Sequence, residues 1–208
     1  DPDARYESFI EIDLDQLVPL AAAPHSPDNV VPVTELGNVK VDQVCIGSCT
    51  NSSYSDMMRV AAALRGKTIP SEVSLVISPG SKQVLAELAR NGALADMVCA
   101  GARILESACG PCIGMGQAPA SGAVSLRTFN RNFEKRSGTA DARVYLVSPE
   151  TAVASALAGY IRALDWPDAP ARFPMPQRFK VDDDLIEIPI PSDMLNVQLS
   201  RGKNIKPF

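Results

Sequence analysis

The sequence predicts an α/β domain of three layers, a mostly parallel sheet flanked by helices. Three observations predict it. Between residues 39 and 164, apolar runs of strand length alternate with runs of helix length. The helical runs carry start and stop signals: Ser53 and Asp56 spaced as a capping pair, Pro149 in a first turn, and Gly66 and Gly92 at the far ends. The loops after the strands gather the chain's unusual polar and thiol residues, as the carboxyl edge of a parallel sheet does.

The elements follow in order. Residues 1–38 read as a lead-in: ESFIEIDL alternates apolar and polar residues like a half-buried strand, and AAAPHSPDNVVPV is a Pro-rich extended connector. VDQVCIGS is a buried strand, and SYSDMMRVAAALRG is the helix after it. EVSLVISPG and SKQVLAELARNG repeat that pair. ADMVCAGARIL reads as a third strand region with a short helix or loop. AVSLRTF and ARVYLVS are further strands, and PETAVASALAGYIRAL is the closing helix. The domain is therefore expected at 39–164. Residues 165–208 change character: DWPDAPARFPMPQRF is too rich in Pro for helix, and DDLIEIPIPSDM and RGKNIKPF look extended, so this stretch reads as a linker.

Composition narrows the function. Of 208 residues, 46% are hydrophobic and 21% charged, enough to fill a core. The net charge of −4 and the lack of a basic–aromatic stripe argue against nucleic acid as the main partner. No apolar stretch reaches the ~18–20 residues that cross a bilayer, so no membrane partner is expected. The polar start, DPDARYESF, does not resemble a secretory signal and looks cut from something longer. The five cysteines, an odd number, suit a reducing compartment, and a cytoplasmic location is expected. The single histidine, His25, excludes a multi-histidine zinc enzyme and reads as a capping or linker residue.

The thiols are the informative residues. Cys45 and Cys99 lie in apolar strand patterns and read as buried. Cys109 and Cys112 form C-x-x-C in ESACGPCIGMGQAP. By spacing alone, that motif is half a zinc site, a redox pair or an iron–sulfur ligand pair. The surrounding glycines let backbone amides approach anionic sulfur. Cys49 lies in GSCTN at a strand end, among polar turn residues. Three thiolates leave a four-iron cluster one ligand short, and an iron without thiolate is open to water or a substrate oxygen. Zinc on three cysteines competes and would need a fourth ligand.

GSCTNSSYSDM, ACGPCIG, FNRNFEKRSG and VYLVSPETAVASALAG, in that order, resemble the aconitase and isopropylmalate dehydratase family. PHSPDNVVPV and RGKNIKPF are similar to its flanks, so the resemblance covers nearly the whole chain. It implies an aconitase-type iron–sulfur domain with a [4Fe-4S] cluster on Cys49, Cys109 and Cys112. It also implies that Asn130, Arg131 and Arg136 face a hydroxy-tricarboxylate or hydroxy-dicarboxylate substrate. Arginine suits that task because its planar fork grips a carboxylate with two donors. ACGPC and the long tail look closer to single-chain aconitases, which interconvert citrate and isocitrate through cis-aconitate. Isopropylmalate and homoaconitate dehydratases are the alternative within the family, and a zinc- or RNA-binding domain is the alternative outside it. The chain departs from the family pattern at Lys135, where glycine is usual.

The resemblance also implies what is missing. The family's histidine–aspartate pairs and its catalytic serine, with a further arginine from a swivelling domain, have no counterpart here, so no catalytic residue is assigned. The chain is expected to be a third-domain fragment, inactive alone, whose 165–208 linker leads toward the absent domain and whose partners are the parent's remaining domains. Exposed thiolates oxidise readily, so a chain purified in air is expected to lack the cluster.

Overall fold

A computed structural model describes residues 3–164 and 173–181, with isolated positions 186, 202 and 203. Among the described residues, seven strands form one sheet: β1 (Leu20–Ala22), β2 (Val30–Pro32), β3 (Gln43–Gly47), β4 (Ser74–Ser78), β5 (Arg103–Ile104), β6 (Val124–Arg127) and β7 (Arg143–Leu146). Their order across the sheet is β2-β1-β7-β6-β3-β4-β5. β3 to β7 run parallel, while β1 is antiparallel to both β7 and β2.

The helices are α1 (Tyr54–Leu64), α2 (Lys82–Arg90), α3 (Ala93–Cys99) and α4 (Pro149–Ala158). The predicted cap of α1 is present in full: the Ser53 hydroxyl accepts from the Asp56 amide at 3.2 Å, and the Ser53 amide donates back to Asp56 at 3.1 Å. Such caps contribute about 1 kcal/mol. Met57, Val60, Ala61 and Leu64 then face inward at helical spacing.

Side chains alternate across the sheet, and the alternation sorts two cores. Val44 and Ile46, Leu75 and Ile77, and Leu126 pack with the inner faces of the helices. Cys45 and Val76 point the other way and meet Cys112 and Phe129 from loops. The three-layer α/β class holds, with a refinement. Among the described residues all four α-helices contribute to the first core, and the opposite layer is loop with a 3-10 turn at Pro111–Ile113. Crossover handedness explains this. The chain steps from β3 through β4 to β5, then returns past β3 to β6 and β7. Right-handed crossovers put connections in opposite directions on opposite faces. The first returning connection, between β5 and β6, is rich in Gly and Pro, which keeps it from forming a long helix.

Several local expectations are corrected. ESFIEIDL forms no strand: Phe9 and Ile10 are 85% and 87% exposed, and only a 3-10 turn at Leu14–Gln16 follows. Alternation makes a strand only where a sheet edge receives it, and here β2 occupies that edge. The connector AAAPHSPDNVVPV instead supplies most of the β1–β2 hairpin, with Pro24 and Pro27 between the strands and Pro32 at the end of β2. ADMVCAGARIL divides into the end of α3 and β5. Ala93, Met97 and Ala100 face inward at helical spacing, which turns Cys99 to the surface rather than into the core. The last helix stops at Ala158, because Gly159 adopts φ +79° and ends it in a left-handed turn. Of the predicted linker, Phe179 packs edge-on against Tyr54, ring centroids 6.1 Å apart. The extended segments expected in DDLIEIPIPSDM and RGKNIKPF lie almost wholly outside the described residues.

Candidate functional site

The strand order reverses between β3 and β6, and a parallel sheet opens a crevice at the carboxyl ends of such a pair. The loop after β3 carries Cys49, and the loop after β6 carries Asn130, Arg131 and Arg136. The long return from β5 brings Cys109 and Cys112 across the same end. All six residues expected from the sequence therefore lie on the three loops that meet at this edge.

The first loop turns sharply. Gly47 has φ +103°, and a Cβ there would lie 2.0 Å from the Ser78 carbonyl oxygen, so only glycine fits. Ser48 and Asn51 also take left-handed backbone, at φ +70° and +54°. Cross-loop bonds hold this shape: Thr128 Oγ1 accepts from the Gly47 amide at 2.9 Å, and Asn51 Nδ2 donates to the Thr128 carbonyl at 2.6 Å. Cys49 is exposed at the tip, its Sγ 3.5 Å from Thr50 Oγ1.

The second loop places Cys109 at the surface and Cys112 inside, 4% exposed. A cavity of about 240 Å³ opens beside Cys109, lined in part by Arg103, Glu106, Met115 and Gln117. In the third loop, Asn130 and Arg131 are exposed and Arg136 is half-buried, its Nη2 3.5 Å from Cys112 Sγ. That contact joins a predicted thiol ligand to a predicted substrate arginine. Lys135 has φ +65°, which explains a position suited to glycine. The lysine keeps the left-handed turn and sends its side chain, 69% exposed, into solvent.

Two structural residues escaped the sequence reading. Asn132 is fully buried, and its Nδ2 donates to the carbonyls of Ala23 at 2.9 Å, Val144 at 3.2 Å and Ala22 at 3.3 Å. It ties the arginine loop to β1 and β7. Arg127 is also fully buried, below the second loop. Its only sequence signal was a charge inside the apolar strand AVSLRTF. Burial pulls its guanidinium below the ordinary arginine value, opposed by the Cys45 and Cys112 thiols, while burial pushes the Cys45 thiol up. Cys45 is thus the buried thiol expected. His25 is exposed and bridges Phe133, on the arginine loop, through the backbone.

The residues suit an anionic iron–sulfur group. Five buried polar atoms have no partner among the described residues: Ser48 Oγ, Ser107 Oγ, Asn132 Oδ1, Arg136 Nε and Ser137 Oγ. Each lies on one of the three loops; Ser48 adjoins Cys49 in sequence, Ser107 lies two residues before Cys109, and Arg136 touches Cys112. Unpartnered donors beside thiols are what sulfur acceptors of a cluster would satisfy. The thiols do not form a closed cage: among the described residues, no three His, Cys, Asp or Glu side chains stand close enough to hold a metal ion. No helix among them is long and apolar enough to cross a membrane.

Comparison with known proteins agrees with the motifs. The homoaconitase large subunit of Thermus thermophilus is 47% identical over 163 residues, covering 77% of this chain and 39% of that protein. The 3-isopropylmalate dehydratase large subunit of Caldanaerobacter subterraneus is 45% identical over the same shares. That of Moorella thermoacetica is 44% identical over 165 residues, 78% of this chain and 39% of its own length. The chain thus spans about two-fifths of the length of these relatives. Residues 1–159 match the family model described as aconitase family (aconitate hydratase), and with two cysteine loops and the arginine loop gathered at one sheet edge, the chain belongs to the aconitase family.

Proposed function

We propose that this chain is the cluster-bearing part of an aconitase-type hydro-lyase, with Cys49, Cys109 and Cys112 as ligands of a [4Fe-4S] cluster. The contact of Arg136 Nη2 with Cys112 Sγ at 3.5 Å carries the reading, because it puts a carboxylate-binding group against a ligand thiol. When bound, the cluster supplies a Lewis acid at the iron that lacks a thiolate. The chain's own residues bind and orient. Arg131 and Arg136 offer fixed forks to substrate carboxylates, and Asn130 offers an amide at the rim. No side chain on the three loops serves as general base or acid for the substrate carbon and hydroxyl. Those groups come from the rest of the enzyme, and the chain alone does not turn over substrate.

The names of the relatives favour isopropylmalate or homoaconitate chemistry over the citrate–isocitrate reaction first expected from ACGPC. Those names also say large subunit, which supports a separate smaller chain as the completing partner. Anaerobic reconstitution with ferrous iron and sulfide tests the cluster. Iron and acid-labile sulfide should bind in equal amounts, and Cys49→Ser, Cys109→Ser or Cys112→Ser should abolish stable binding. Zinc bound without sulfide would overturn the reading. Offering the completed enzyme isopropylmalate, homoaconitate and citrate then assigns the substrate.

A further inference from the structure

Among the described residues, Arg127 is the largest fully buried side chain, and it lies on the face of β6 turned toward the thiol loops. Its Nη1 donates to the Pro111 carbonyl, the residue before Cys112. Its Nη2 donates to the Gln117 carbonyl at 2.7 Å and to Gln43 Oε1 at 3.0 Å, and its Nε donates to Ser125 Oγ at 3.0 Å. Ser125 Oγ in turn donates to Gln43 Oε1 at 2.7 Å. One guanidinium thus grips both ends of the 111–117 segment, held from below by two side chains of the sheet. The Phe129 ring, 5.7 Å from its centre, closes one side.

The charge balance is unusual. All four acceptors are neutral, and among the described residues no carboxylate forms an ion pair with Arg127. A buried cation without an anion is costly, and a core needing only volume would use Met or Leu there. Fork geometry and fixed charge both point at the turn that carries Cys112.

We propose that Arg127 is a positioning residue for the iron–sulfur site: its fork fixes the Cys109–Cys112 turn, and its charge offsets that of the anionic ligand set above it. The charge half rests on the cluster reading, whereas the clamping half does not. Arginine and lysine separate the two halves. Lysine keeps the charge as a point but cannot hold two carbonyls and a side-chain amide in one plane.

The test compares the 208-residue chain with Arg127→Met, Arg127→Lys and Gln43→Met. Without any metal, amide exchange over 110–117 and alkylation of Cys112 should rise about tenfold in Arg127→Met. Amides of α1 and α4 should keep their protection. Arg127→Lys should leave the loop nearly as open, and Gln43→Met should open it less. An equal rise throughout the chain, or an unchanged loop, overturns the clamp and leaves Arg127 a core residue. If Arg127→Met does not fold, Gln43→Met decides by the same measure. After reconstitution, the cluster's midpoint potential should fall in Arg127→Met and return in Arg127→Lys. Equal potentials in all three overturn the charge half. Failure of the wild-type chain to take a cluster counts against the proposed function, while the clamp is still judged by exchange.

Discussion

Gly114 and Gly116 allow a controlled test of how the thiol loop is docked. Both have left-handed backbone, at φ +84° and +63°. A Cβ at Gly116 meets nothing within 4 Å, whereas one at Gly114 would lie 2.1 Å from the Ser137 carbonyl oxygen and 2.6 Å from its carbon. Alanine at either site pays about 1–2 kcal/mol for left-handed backbone, partly offset by roughly 0.5 kcal/mol from a less flexible unfolded chain. Gly116→Ala should therefore cost about 1 kcal/mol. Gly114→Ala must also push two backbone segments apart by more than an ångström, and the total should reach about 3 kcal/mol or more. The displaced segment, 137, follows Arg136, so the contact between Arg136 and Cys112 should break as well. Urea unfolding gives the stabilities, and the alkylation rate of Cys112 reports the opening. If Gly114→Ala costs no more than Gly116→Ala and Cys112 stays equally protected, the close approach of the two loops is wrong.

Further predictions follow from the other loops. Lys135→Gly removes a left-handed lysine and should raise stability by up to about 1 kcal/mol in urea unfolding, with the slope unchanged. Asn132→Ala leaves buried carbonyls short of a donor and should cost about 2–3 kcal/mol, with faster amide exchange over 129–137 as its local signature. The Ser121 hydroxyl and the Gly122 amide hold the Asp141 carboxyl below its ordinary 3.8. A carboxyl depressed by folding contributes stability above its unfolded value and loses it as pH falls through the folded one. The stability gap between wild type and Ser121→Ala should therefore be fully open near neutrality and close below pH 3.8.

The parallel body of the fold was legible because its signals are local. Capping residues, glycine stops and apolar strand runs marked β3, α1, β4, α2, β6 and β7 close to their observed bounds. What escaped depends on partners distant in sequence. The β1–β2 hairpin exists because β7, more than a hundred residues later, offers an edge to a strand whose own sequence is Pro-rich. Cys99 was misread because a single turn of α3 and a strand share an apolar run, and period alone does not divide so short a stretch. The site behaved likewise. Thiols and arginines carry chemistry in their identity, so Cys49, Cys109, Cys112, Asn130, Arg131 and Arg136 stood out, and the structure puts them at one edge. Asn132 and Arg127 act through what they hold, and their targets are visible only in the folded chain.

The two faces of the sheet divide the work. The helical face is apolar and continuous, from Leu88 and Met97 through Leu64 and Ile46 to Ala152, so its stability comes from burial and needs no ligand. The loop face has a small apolar cluster and is held mainly by polar ties, through Thr128, Asn132, Arg127 and Gln43. Such ties contribute about 1 kcal/mol each and are specific in direction. A face built this way fixes which loops are neighbours without closing them, which matches thiols that share an edge but form no cage. The unpartnered oxygens and nitrogens beside those thiols are then the part of the design that a bound group completes. On this view, loading the site should tighten the three loops and leave the helical face unchanged, because only the loop face has hydrogen-bonding groups still to satisfy.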